Sequence, residues 1–204
     1  MNKSKPYHHG NLRQALVDAT LELITERGPQ GFTLAEAARQ AGVSAAAPYR
    51  HFKGRDELIR ETARQGYLLF GDLLEHAYNG GKPTPLSAFS KVGRAYLAFA
   101  KRYPGYYIAM FESGVSLSGC SDLALVSERA MGVMTLAAET LMAHIPAGQR
   151  PPAVMVSHHI WAMSHGVVEL FARGTPGGRA AFSPEDLLES GTGIYLRGLG
   201  IVGE

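Results

Sequence analysis

The sequence predicts an all-α protein of about nine helices, and three observations predict it. Apolar residues recur at three- and four-residue spacing through most of the 204-residue chain. Glycine and proline clusters cut that pattern into segments of helix length. No stretch between turn signals sustains the period-two alternation of a strand, and no repeat of solenoid period is present. With 46% apolar and 19% charged residues the composition is that of a folded chain.

Leu12, Ala15, Leu16, Ala19, Leu23 and Ile24 mark one face of a first helix from Asn11 to Glu26, which Gly28 stops. Thr33, with Glu36 three positions on, has the capping-box arrangement that starts a second helix, and Gly42 ends it. Ser44 is suited to cap a third, short helix over Ala45 to His51. Pro48 within it removes one backbone donor, at modest cost near the first turn. A fourth helix runs from Gly54 or Arg55 to about Tyr78, where Asn79, Gly80, Gly81, Pro83 and Pro85 break the chain. Helices over Leu86 to Arg102, Pro104 to Phe111, Ser121 to His144 and Ala153 to Arg173 follow, separated by loops at 114–119 and 146–152. Ser183, Pro184 and Asp186 open the last helix, to about Leu199. The junction between domains is placed in the fourth helix, giving an N-terminal domain over 1–54 and a helical C-terminal domain over 55–204.

Net charge is only +2, yet residues 1–60 hold nine basic against six acidic residues, so the positive excess lies at the N-terminus. Lys3, Lys5, His8 and His9 precede the first helix and read either as a DNA-contacting arm or as an ordinary basic terminus. The single cysteine, Cys120, rules out an internal disulfide and points to a reducing compartment. No apolar run reaches the roughly 18 residues of a membrane span, and no apolar signal core opens the chain. A cytoplasmic protein without membrane partner is expected. No metal site or cofactor is expected either: adjacent histidines lack a partnering carboxylate or cysteine, and Gly-rich phosphate loops, GxSxG and HExxH are absent. An enzyme with Cys120 or His165 as its reactive residue is the remote alternative, since Cys120 has no base beside it in sequence.

The segment Phe32 to Phe52, FTLAEAARQAGVSAAAPYRHF, carries the functional reading. Leu34, Ala37, Ala38 and Ala41 give a helix that a neighbour can approach closely. Gly42 permits a tight turn, Val43 plugs the corner, and Ser44 begins the next helix. That is the short connection of a helix-turn-helix, whose second helix lies in the major groove of DNA.

These residues, the YRHF run and the following KGRDEL resemble the TetR family of transcriptional regulators, most closely over residues 9–60. YHHGNLRQAL near the start and HHIWAMSHGVVELF further on resemble a subgroup with a Trp-His-Gly C-terminal domain, here Trp161, His165 and Gly166. The resemblance implies phosphate contacts by Thr33, Tyr49, His51 and Lys53, with Ser44, Ala45 and Ala46 near base edges. Hydroxyls beside helix starts, a phenol and an ammonium suit that task, whereas alanines offer only methyl contact or steric fit.

It also implies a ligand-binding C-terminal domain and a homodimer formed by the last two helices. Tyr96, Phe99, Tyr103, Tyr107, Met110 and Phe111, with Met134 and Trp161, read either as core or as an apolar pocket. His165, four residues after Trp161, is read as a buried hydrogen-bonded histidine that could also touch a ligand. Gly166 suits either tight core packing or an interface. The resulting expectation is a one-component repressor that binds a palindromic operator as a dimer and is released by a small-molecule effector. A constitutive DNA-binding protein without effector is the other candidate.

Overall fold

The computed structural model describes residues 11–116, 121–172 and 181–203, and all regular structure there is helical. The arm of Lys3, Lys5, His8 and His9, and Cys120, lie outside the described residues. Among the described residues eight α-helices run in order: α1 (Leu12–Arg27), α2 (Leu34–Gln40), α3 (Arg55–Tyr78), α4 (Pro85–Arg102), α5 (Pro104–Phe111), α6 (Ser121–Leu141), α7 (Ala153–Ala172) and α8 (Pro184–Gly198). None is long and apolar enough to cross a membrane.

Local chemistry explains most boundaries. Asn11 accepts from the Gln14 N–H to cap α1, and Gly28 takes the left-handed φ of 74° that ends it. Thr33 and Glu36 form the expected capping box of α2, and Ser183 and Asp186 form another at α8 with Pro184 in its first turn. The expected third helix is the main correction. In its place Ala47–Arg50 form a single 3-10 turn with no side-chain cap, so Ser44 does not cap it. Pro48 has no N–H to give the Ser44 carbonyl, its α-helical partner, and that carbonyl instead accepts from Ala47 at 3.0 Å. Helix α6 ends at Leu141, three residues short of the expected His144.

The chain forms two compact units. The first holds residues up to Tyr67 together with 103–124; the second holds 68–102 and the residues from Leu125 onward. The chain passes between the units three times, within α3 after Tyr67, between α4 and α5, and within α6 after Ala124. In the first unit Leu16, Val17, Leu23 and Ile24 of α1 are buried with Phe32, Leu34, Ala37, Ala38, Phe52, Leu58 and Ile59. Helix α5 also belongs to this unit and packs on α1. In the second unit α4 packs against α7 and α8, and α7 against α8. Tyr96, Phe99, Leu74, Met142 and Leu196 are among its fully buried side chains.

Candidate functional site

The turn from α2 through the 3-10 segment builds the exposed face of the first unit. Gly42, at φ 75°, reverses the chain, and the Val43 N–H closes the turn on the Ala38 carbonyl at 2.9 Å. Pro48 is buried beneath the turn, and its carbonyl accepts from His51 and Phe52 at 2.8 and 2.9 Å. With Pro48 and Phe52 pinned inside, the intervening side chains face outward. Thr33, Ser44, Ala45, Ala46, Tyr49, His51 and Lys53 are all exposed, Tyr49 by 64%. Thr33, Tyr49 and Lys53 line one open concave surface together with Phe32, Leu34, Arg55, Arg60 and the carboxylates of Asp56 and Glu57. Arg55 there donates to Gln30 at 2.7 Å and pairs with Asp56 at 3.1 Å.

Behind this face an ionic cluster ties α1 to α3. Glu61, only 8% exposed, accepts from Arg13 at 3.0 Å and from Arg64 at 2.9 Å, while Gln65 donates to it at 3.1 Å. The Arg64 hydrogen bond, then those from Arg13 and Gln65, outweigh burial and hold the carboxyl at about 2. The Arg13 guanidinium also lies 5.0 Å from the centre of the Phe52 ring, joining the cluster to the end of the exposed turn.

The residues expected to line a ligand pocket fall into two groups. In the second unit Trp161 donates its indole N–H to the Tyr96 hydroxyl at 2.9 Å, and that hydroxyl lies 2.9 Å from His165 Nδ1. Indole is a donor only. The Tyr96 hydroxyl therefore accepts from Trp161 and is joined to His165 Nδ1 through a single hydrogen bond whose direction follows the imidazole tautomer. Phe70 packs edge-on to Tyr96 at 5.2 Å and against Phe99 at 4.9 Å; Met134 is buried on α6. Tyr103, Tyr107, Met110 and Phe111 instead sit in the first unit. There Phe111 meets Tyr67 at 5.8 Å and Tyr107 at 5.0 Å. The second unit also has a cleft of about 250 Å³ among α4, α7 and α8, floored by Phe89, Ile160, Leu188 and Leu196 and rimmed by Arg94 and Arg197. None of the expected ligand residues lines it.

Residues 16–62 match the model of bacterial regulatory proteins, tetR family, and residues 89–193, just over half of the chain, match the Tetracyclin repressor-like, C-terminal domain. The chain belongs to the TetR family of transcriptional regulators. Over 52 residues, 26% of this TetR-family chain, it is 44% identical to the HTH-type transcriptional regulator BetI of Agrobacterium fabrum, and that stretch spans only 25% of BetI. A protein of unknown function from Rhodococcus sp. RHA1 superposes with a TM-score of 0.78 at 26% identity, over 96% of this chain and 98% of that one. AibR, in complex with isovaleryl coenzyme A and operator DNA, gives 0.67 at 17% identity over 89% and 96%, a likeness of fold.

Sequence reasoning about this TetR-family protein passed over Arg55, Arg60 and the Glu61 cluster. The KGR run next to Lys53 was a usable signal for the first. Nothing in the spacing of Arg13 and Glu61, 48 positions apart, marks them as partners. The α4/α8 cleft was equally hidden, because its floor reads as ordinary core on each helix taken alone.

Proposed function

We propose that this TetR-family protein is a one-component repressor that binds a palindromic operator as a homodimer and releases it when a small-molecule effector binds. The observation that carries the reading is the convergence of Thr33, Tyr49 and Lys53 on one exposed concave face, with Ser44, Ala45, Ala46 and His51 exposed on the adjoining turn. Two hydroxyls and an ammonium there suit phosphate oxygens, and the turn between them suits base edges. Alanines at the turn limit direct readout to thymine methyls and shape.

Dimerisation is assigned to α7 and α8. Met155, Ala162, Gly166 and Leu170 recur along one exposed side of α7, and Ile194 on α8 is 64% exposed. A Cβ added at Gly166 would meet nothing within 4 Å. That favours the interface reading of this glycine over core packing. Within the family, Trp161, His165 and Gly166 assign the chain to the Trp-His-Gly subgroup. The effector is assigned to the second unit, where the small α4/α8 cleft and the Tyr96–Trp161–His165 group offer apolar surface with a few polar contacts. AibR, crystallised with both an acyl thioester and operator DNA, offers a precedent for one such fold taking both partners. Helix α3, continuous through the boundary at Tyr67, is the lever between them. An effector shifts the spacing of two heads only by its differential affinity for the two states.

Selection of bound duplexes from a random DNA pool, at fixed salt, tests the reading. Enrichment of a palindrome with half-sites one helical turn apart is the expected result. A folded dimer that enriches no site would overturn it.

A further inference from the structure

We propose that Arg60 is a phosphate-binding residue of the reading head, receiving a phosphodiester of duplex DNA on the concave surface it shares with Thr33, Tyr49 and Lys53. The inference rests on the DNA-binding reading above and adds a residue that no sequence motif marked.

Arg60 Nε is buried and makes no hydrogen bond. The carboxylates that helix geometry would offer it are engaged elsewhere. Asp56, four residues before it, pairs with Arg55 at 3.1 Å. Glu57, three before it, accepts from the Lys53 N–H at 2.6 Å. Glu61, next in sequence, is taken by Arg13 and Arg64. A half-buried guanidinium with one N–H unsatisfied and no acid paired to it is costly in the free protein. An anion arriving at the outer nitrogens of the same delocalised group offsets that cost.

The surroundings say which anion. Helix side chains tilt toward the N-terminus, so Arg60, in the second turn of α3, leans toward the start of that helix and the surface built there. Outside α3 the polar side chains on that surface are the Tyr49 phenol, the Lys53 ammonium and the Thr33 hydroxyl, which donates to Glu36 at 2.9 Å; from α3, Arg55 lines it with Asp56 and Glu57, whose carboxylates are engaged by Arg55 and the Lys53 N–H. Phe32 and Leu34 are buried at its base. The surface is open rather than an enclosed cavity, which leaves room for the backbone of a duplex.

Affinity of the full-length protein for its selected duplex and for an unrelated duplex, measured across a salt series, tests the proposal. Arg60→Gln is expected to weaken both duplexes by the same factor and to reduce the slope of log affinity against log salt by about 1, while Arg60→Lys keeps most of the slope. Thermal unfolding of Arg60→Gln and Arg60→Met should show midpoints equal to or above that of the unsubstituted protein, because an unpaired buried charge has been removed. An unchanged salt slope in Arg60→Gln overturns the proposal. So does a lowered midpoint in both neutral variants, which would make Arg60 a structural residue. Failure of the unsubstituted protein to bind any duplex is a separate result and removes the DNA reading itself.

Discussion

Glu61 receives Arg64 from its own helix and Arg13 from α1, and those guanidinium groups lower its carboxyl from the usual 4.5 to about 2. A carboxylate whose folded pKa is depressed contributes stability above its unfolded pKa and loses it as pH falls toward the folded value. Glu61→Gln should therefore destabilise the protein by on the order of 2 kcal/mol at pH 7. The difference from the unsubstituted chain should shrink between about pH 4.5 and 2, as read by urea unfolding at several pH values. Thr33 caps α2 and is proposed to contact phosphate, and substitution separates the two roles. Its hydroxyl accepts from the Glu36 N–H at 3.2 Å, so Thr33→Ala should cost about 1 kcal/mol of stability and also weaken DNA binding. Thr33→Ser should restore both; restoration of stability alone would remove Thr33 from the phosphate contacts.

Helix α5 illustrates how glycines place an element. It starts against α1, where a Cβ on Gly105 would come within 2.8 Å of the Leu21 carbonyl oxygen and 3.0 Å of Thr25 Oγ1. Backbone cannot yield there, and Gly105→Ala should destabilise the first unit by about 1–3 kcal/mol in thermal or denaturant unfolding. Gly66, inside α3, faces the same helix differently: its added Cβ would meet Met110 Sδ at 2.7 Å. A thioether at the end of a flexible side chain can move, and alanine gains up to about 1 kcal/mol over glycine in a helix interior. Gly66→Ala should thus fall within about 1 kcal/mol of neutral, and a loss as large as that at Gly105 would show that Met110 is held rigidly. The same packing explains why Tyr107, Met110 and Phe111 fall in the first unit, apart from Tyr96, Trp161 and His165 in the second. Their element seats on the first unit through these two glycines, a fact carried by α1 and α3 and not by the aromatic pattern of α5.

At the scale of the whole molecule, the proposed pairing of α7 and α8 with a second copy makes a mass measurement decisive. Ile194→Asp places a charge on the exposed apolar side of α8 and should shift sedimentation from dimer to monomer while weakening operator binding, because two half-sites are then bound independently. A dimer that persists with undiminished mass in both Ile194→Asp and Gly166→Arg would move the interface elsewhere. The second unit holds its own ties that such substitutions leave intact. Arg129 of α6 bonds Glu75 at 2.7 Å and Asp72 at 2.8 Å on α3, and Tyr78 meets Thr140 at 2.7 Å.

What the sequence determined by itself was every feature set by neighbours along the chain. Capping boxes at Thr33 and Ser183, stops at Gly28 and Gly42, the long α3 and the short helix-turn-helix connection follow from spacing, because helix periodicity and capping act over three or four residues. The exposed set from Thr33 to Lys53 was legible for the same reason: the residues lie within 21 positions and one turn orients them. Pro48 was legible as a missing donor, yet only the folded chain shows its consequence, a 3-10 turn where a helix was expected. Tertiary structure alone decided that Tyr96, Trp161 and His165 share one hydrogen-bonded chain, that α5 belongs with α1, and that Arg60 is left without a partner while Glu61 has three. Those outcomes depend on which residues tens of positions apart come to compete for the same carboxylate, hydroxyl or space, and no local period encodes that competition.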